Sequence, residues 1–268
     1  MPEPITTIGT GAVLAYMAKD GVAKLLGPTA EYLGSSLKEL VQKRMETVGK
    51  IFTNATSKLG EEIEKRGEVP PKVVKEIVDE GSFSNSHLAV EYLGGILASS
   101  RTESGRDDRG ARLAKLVNSL STYQLRTHCL IYLTVRDVFK NSGLSMSHLD
   151  RAKMRMFLPY SGYLAAMEFS PEEARQLVPI YSHTFFGLHS EDLIEGEFFY
   201  GGLDHVRAKF EGATEGGVIL QPSALGAELF LWAFGCSDRV NDYLFSPDFE
   251  CPVEGLPTRI CAAVAVKQ

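Results

Sequence analysis

The sequence predicts a mainly α protein. An N-terminal helical region built on a long amphipathic helix is followed by a smaller α+β C-terminal module. Three observations carry this. Apolar residues recur at three- and four-residue steps from Leu33 to Ile63. Beyond Gly187 the pattern changes to short extended runs and Gly-rich turns. The charge also shifts along the chain: residues 1–168 carry 22 Lys+Arg against 19 Asp+Glu, and residues 169–268 carry 6 against 15. The shift coincides with a break near Phe169, so the expected domains are residues 1–168 and 169–268.

The first expected helix runs from about Gly9 to Leu26. Its longest uncharged run, Ile5 to Ala18, is 14 residues. A spanning helix needs about 20, and Lys19, Asp20 and Lys24 interrupt this one, so no transmembrane span is expected. A buried or oligomer-facing helix is the first reading, and attachment to a membrane surface stays open. Gly27-Pro28 breaks the ladder. A second helix follows over about Thr29–Arg66, with Leu33, Leu37, Leu40, Val41, Met45, Val48, Ile51, Phe52, Leu59 and Ile63 on one stripe and Lys and Glu opposite. That stripe is longer than a compact bundle of this size needs, so it is expected to pack in an oligomer or against a partner. Gly67 stops it, with Lys65 and Arg66 suited to the C-terminal dipole.

Pro70-Pro71 opens the next helix and Gly81 closes it. Ser84 or Ser86 can cap the following one. There Leu93, Ile96 and Leu97 are expected to face a core, with His87 and Glu91 towards water. Asp107 or Asp108 starts a helix through Leu120, and Ser121 caps a mostly buried helix after it. "SHLDRAKMRMFLPYSGYLAAM" reads as a helix broken near Pro159. In "SPEEARQL", Ser170 caps, Pro171 fills the first turn and Glu173 completes a capping box, so a helix should run towards Gly187. "HVRAKFEGATEGGVIL" reads as a hairpin, Pro222–Gly235 as an amphipathic helix, and "TRICAAVAV" as a strand.

The stretches "LLGPTAEYLGSSLKEL", "VPPKVVKEIVDEGSFSNSHLAVEYLGGILASS" and "GARLAKLVNSLSTYQLRTHCLIY" resemble, in order and spacing, the bacterial Abi-alpha family of abortive-infection-type proteins. Members show a Gly-Pro-x-Ala-x-x-x-Gly opening of a long helix, a "VPPK" helix start, an acidic helix and then two apolar helical segments. Leu93, Ile96, Leu97, Ala98 and Ser99 match the first of those segments, and Leu116, Leu120, Ser121 and Leu125 the second. This chain has "LSTYQLRTH" where an Asp usually follows the Leu-Ser pair. The resemblance covers about residues 22–141. "GGVILQPSALGAELFLWAFG" also looks like the ending of winged-helix-like modules in such proteins, with Gln-Pro-Ser replacing Leu-Thr-Pro. These motifs pack and cap. The resemblance therefore implies a phage-defence context rather than a reaction, with association to a protein partner or to further copies of the chain.

The candidate functional residues are few. "SSRTESGRDDRGAR" offers Arg101, Arg106, Arg109 and Arg112 as an anion- or partner-contact loop before a helix N-terminus. Asp107 and Asp108 would repel a phosphate there, so a solvated loop with local ion pairs is the competing reading. His183, His189, Glu191 and Asp192 lie close in sequence. The six-residue step between the imidazoles suits no single helical face, and no metal is expected. Cys129 beside His128 suggests a nucleophile pair, but adjacent helical residues point apart. Gly9–Ala12 lacks the full dinucleotide fingerprint, and no Walker or Gly-x-Ser-x-Gly motif occurs. No catalytic residue and no cofactor is expected, although an enzyme with scattered site residues stays open.

The four cysteines, Cys129, Cys236, Cys251 and Cys261, show no C-x-x-C spacing. With no leader read ahead of them, they suit reduced thiols in the cytoplasm. The acidic C-terminal module disfavours nucleic acid. A winged-helix regulator that binds DNA through the more basic helical part is the alternative to the defence reading.

Overall fold

The computed structural model describes residues 29–81, 86–257, 260 and 264–265. The expected helix Gly9–Leu26 and the Ser84 cap lie outside them. The chain is mainly α with one small antiparallel sheet. It divides into two compact units between Asn118 and Ser119.

In the first unit, α1 spans Thr29–Leu59. A 3-10 turn follows over Gly60–Glu64, with Gly60 at φ +51°. The α-helix thus ends at Leu59, short of the expected Arg66, where the left-handed Gly60 breaks the ladder. Helix α2 is Pro71–Asp79, with Pro at its first position. It buries Val73 and Ile77, four apart on one face. Helix α3, His87–Ser99, buries almost every side chain from Leu88 on. Such a helix sits inside a core rather than along its edge.

Helix α3 packs mainly against α1, where Ile51 and Ala55 are buried. Gly94 permits the approach, since a Cβ there would lie 2.3 Å from Asn54 Oδ1. Across the same interface Asn54 Nδ2 donates to Glu91, which also holds Lys58 at 3.2 Å. Glu91 is therefore half-buried and bonded rather than free in water. Ser86 sits at the N-cap of α3 without a side-chain capping bond. Helix α4 runs over Arg109–Ser119 and buries Leu113, Ala114, Leu116 and Val117.

The second unit is built around α5, Thr122–Phe139. Ser121 caps it through a full capping box with Gln124: each side chain accepts from the other's backbone N–H. Then come α6, His148–Arg151, and β1, Met156–Pro159. Helix α7, Tyr160–Met167, starts directly after β1. The segment expected to be a helix broken near Pro159 is thus a short helix, a strand and a second helix. All four residues of β1 are buried and paired with β3, and Met156 and Phe157 also pair with β4 on the other edge, which a helical segment could not achieve.

The capping box at Ser170 forms: Ser170 Oγ accepts from Glu173 N at 3.2 Å and Glu173 Oε2 from Ser170 N at 2.8 Å. It opens a 3-10 turn, Glu173–Gln176, before helix α8, Leu177–Ser190. Strand β2 is Ile194–Gly201, α9 is Leu203–Arg207, β3 is Gly217–Pro222, α10 is Ala224–Ala233 and β4 is Val264–Ala265.

The sheet order is β2-β3-β1-β4, antiparallel throughout. It overturns the expected hairpin within His205–Leu220. Leu203–Arg207 is helical, and the strand beside β3 on that edge is β2. Val206 explains the helix: one turn directs it, fully buried, onto Phe157, Phe210 and Ile219. The charge shift near Phe169 falls inside this unit, whose sheet takes β1 from before it and β2, β3 and β4 from after it.

Candidate functional site

The four candidate arginines, Arg101 and Arg106 in the loop before α4 and Arg109 and Arg112 in its first turn, have different tasks. Arg101 donates to the carbonyl oxygens of Glu62 at 3.0 Å and Ile63 at 3.1 Å, and also to that of Lys65. Those carbonyls close the 3-10 turn, where few backbone donors remain. A bridge between Glu68 and Thr102 fixes the two segments side by side. Arg101 is thus a structural staple. Arg109 grips Asp107 through Nε at 2.9 Å and Nη2 at 2.6 Å, and its guanidinium holds the Asp107 carboxyl below its ordinary value. Asp108 pairs with Lys72 at 2.9 Å. Arg106 and Arg112 are exposed. Two of the four guanidinium groups are therefore engaged within the fold, Arg101 on backbone carbonyls and Arg109 on Asp107.

His183 and His189 also face separate partners. The first imidazole lies 3.1 Å from Ser121 Oγ, and the second stacks on Phe198 with ring centres 5.9 Å apart. Among the described residues, no three His, Cys, Asp or Glu side chains are grouped to hold a metal ion.

His128 is fully buried on α5, and its Nε2 lies 3.1 Å from the Gly226 carbonyl. Burial pulls its pKa down to about 3, against the pull of that hydrogen bond. A neutral imidazole donating to a carbonyl, wedged between Tyr132 and Phe230, is a packing element. Cys129 is fully buried too.

A different surface stands out on the second unit. Helix α8 buries Tyr181, Thr184, Phe185 and Leu188. Its other face carries Val178, Ser182, Phe186 and His189, spaced four, four and three apart. Val178 is 72% exposed and Phe186 56%. Strand β2 supports this face with Phe198 and Tyr200, which alternate onto one side. A register shift between Glu195 and Phe199, with Gly196 at φ +75°, sets that side. A Cβ at Gly196 would lie 1.6 Å from the Gln221 side chain, so the position needs glycine.

Phe186 stands edge-on to Phe198 at 5.3 Å and to Tyr200 at 6.0 Å. Tyr200 Oη is tied to Ser182 Oγ at 3.1 Å. Beneath lie Tyr160, Tyr163 and Tyr181, with neighbouring rings 5.0–5.1 Å apart. Burial raises the Tyr163 and Tyr181 hydroxyls above the ordinary tyrosine range, so both stay protonated. Rigid rings with fixed neighbours and one open side can bind an apolar group at small entropic cost. The sequence reading did not single out this face. The 178–182–186–189 spacing and the Phe198/Tyr200 alternation were present in the sequence, but the bulge that combines them was not readable.

Among the described residues, no helix is long and apolar enough to cross a membrane. No known protein family, curated protein or solved structure matches the chain.

Proposed function

We propose that the chain is a cytoplasmic bacterial antiphage protein of the abortive-infection type, acting by protein–protein association as a sensor, scaffold or toxin component. Two things support the reading: the resemblance over about residues 22–141 and the open aromatic face of α8 and β2. The observation that carries the mode of action is Phe186. Its ring is more than half in water, yet two aromatic neighbours, Phe198 and Tyr200, and the Ser182–Tyr200 hydrogen bond hold its surroundings in place. Exposed aromatics over a rigid base are what association surfaces use as anchors. Glu191 and Asp192, exposed at the end of α8, add negative charge. The partner that fits is a protein segment offering an apolar side chain flanked by Lys or Arg.

The test is phage plating with and without the chain, repeated with Phe186→Ser. The parent should lower plating efficiency and the variant should not, at equal folded protein level. Protection that needs no chain, or that survives Phe186→Ser unchanged, would end this reading. A tight, sequence-selective DNA complex lost on Lys209→Ala would favour a winged-helix regulator instead.

A further inference from the structure

We propose that Cys236 and Cys251 form a redox-modification site, at which a peroxide-class oxidant joins the two thiols as a disulfide closing the segment between them. The fold brings the two ends of that segment together. Helix α10 ends at Ala233, and Gly235 at φ +85° turns the chain back, so that Cys236 N bonds to Leu231 O at 3.0 Å. At the other end, buried Phe249 packs edge-on against Phe234 at 5.8 Å and Phe230 at 6.1 Å. Each cysteine lies two residues beyond one member of the Phe234–Phe249 pair.

The Arg136 guanidinium sits 5.7 Å from the Phe249 ring and donates to the Phe249 carbonyl at 2.5 Å. Burial pushes the Cys251 thiol above its ordinary pKa; the Arg136 guanidinium pulls the other way without reversing it, and the nearby Cys236 thiol adds to the rise. Both cysteines are partly exposed, unlike the fully buried Cys129.

The reaction balances with hydrogen peroxide. One thiolate attacks a peroxide oxygen, the O–O bond breaks, and a sulfenic acid forms as the first water leaves. The second thiol attacks that sulfur, the S–S bond forms, the S–O bond breaks, and a second water leaves. The two sulfurs supply the two electrons that reduce the peroxide.

The closed segment contains the 3-10 turn Asn241–Phe245. It also contains Asp242, which accepts from Met146 N at 2.5 Å, and Asn241, which donates to Ala224 O at 3.0 Å. Joining its ends removes freedom from the unfolded chain, so oxidation should raise the melting temperature.

The experiment treats the full chain with hydrogen peroxide, blocks free thiols, and maps tryptic peptides with and without dithiothreitol. Trypsin cuts after Arg239, so the two cysteines fall on different peptides. The expected result is one crosslink joining those peptides with the loss of two hydrogens, reversed by dithiothreitol. The melting temperature should rise on oxidation and return on reduction. Cys236→Ser and Cys251→Ser should abolish both effects, and Cys129→Ser should leave both intact. Should a serine variant fail to fold, the crosslink map of the parent protein decides alone. A crosslink to Cys129 or Cys261, a dimer linked between chains, or sulfinic acid at either cysteine without a crosslink would overturn the proposal.

Discussion

The Tyr132 hydroxyl accepts the backbone N–H of Ser223 at 3.0 Å and donates to the Leu193 carbonyl at 2.9 Å. It thereby ties α5 to the turn after α8 and to the start of α10. Ser223 Oγ in turn accepts from Gly226 N at 2.9 Å, capping α10, and donates to Asp192 O at 2.5 Å. A Cβ at Gly226 would lie 2.0 Å from the Tyr132 oxygen, so that approach requires glycine. Tyr132→Phe removes one buried oxygen and leaves a buried N–H and a buried carbonyl short of a partner. The expected cost is about 1–3 kcal/mol of stability, read as a lower urea midpoint with an unchanged slope.

His128 makes the second unit acid-sensitive. Its native pKa of about 3 lies well below the ordinary histidine value of 6.5. Between those values the unfolded chain binds a proton that the native state does not, so stability falls as pH drops. From pH 7 to pH 5 this one group should lower stability by about 2 kcal/mol. His128→Gln keeps a donor for the Gly226 carbonyl and cannot titrate. The pH 7 to pH 5 difference, measured by urea unfolding, should shrink by most of that amount in the variant. An equal difference in both proteins would place the imidazole in water.

The arginines before α4 and in its first turn should separate cleanly. Arg101→Ala removes the donor of the Ile63 and Lys65 carbonyls and leaves the Glu62 carbonyl with the Lys65 N–H alone. Water can reach these exposed carbonyls, so a loss of about 0.5–1.5 kcal/mol is expected, together with faster amide exchange at Lys65–Glu68. Arg106→Ala and Arg112→Ala, both on exposed side chains, should stay within about 0.5 kcal/mol. Calorimetry and hydrogen exchange on the three variants would check this.

Helix starts were the most legible part of the fold. Ser121 with Gln124, Ser170 with Glu173, and Pro71 at the head of α2 are local devices, complete within four residues. The sheet was much less legible. Strand β1 is four residues long, lies directly before a helix and finds its partner at Gly217–Pro222. Nothing within its own span encodes that pairing. Helix α9 was missed for a related reason: Val206 is helical because of a core assembled from Phe157 and Ile219. The same limit applies to the candidate site. The arginine cluster was visible as composition, but only the fold reveals that Arg101 serves carbonyls and Arg109 serves Asp107. The Phe186 face needed the bulge at Gly196 to exist.

Leu93 tests the core of the first unit most directly. It is fully buried on α3, and a Cβ at Gly81 would lie 2.8 Å from its Cδ1 and 3.5 Å from Ile51 Cδ1. The end of α2, α1 and α3 thus converge on this side chain. Leu93→Ala would leave a cavity between three packed segments that cannot all collapse. The expected cost is about 2–5 kcal/mol, a large share of the roughly 5–15 kcal/mol that holds a domain folded. His87, exposed at the start of α3, provides the control, and His87→Ala should change stability by less than about 0.5 kcal/mol. Glu91 falls between the two. Glu91→Gln keeps an acceptor for Asn54 but loses the charge facing Lys58, so the loss should be under about 1 kcal/mol. Thermal melts on the three variants should rank them Leu93→Ala far below Glu91→Gln, with His87→Ala at the parent value. If Leu93→Ala melted with the parent, the convergence of α1, α2 and α3 on this side chain would be wrong.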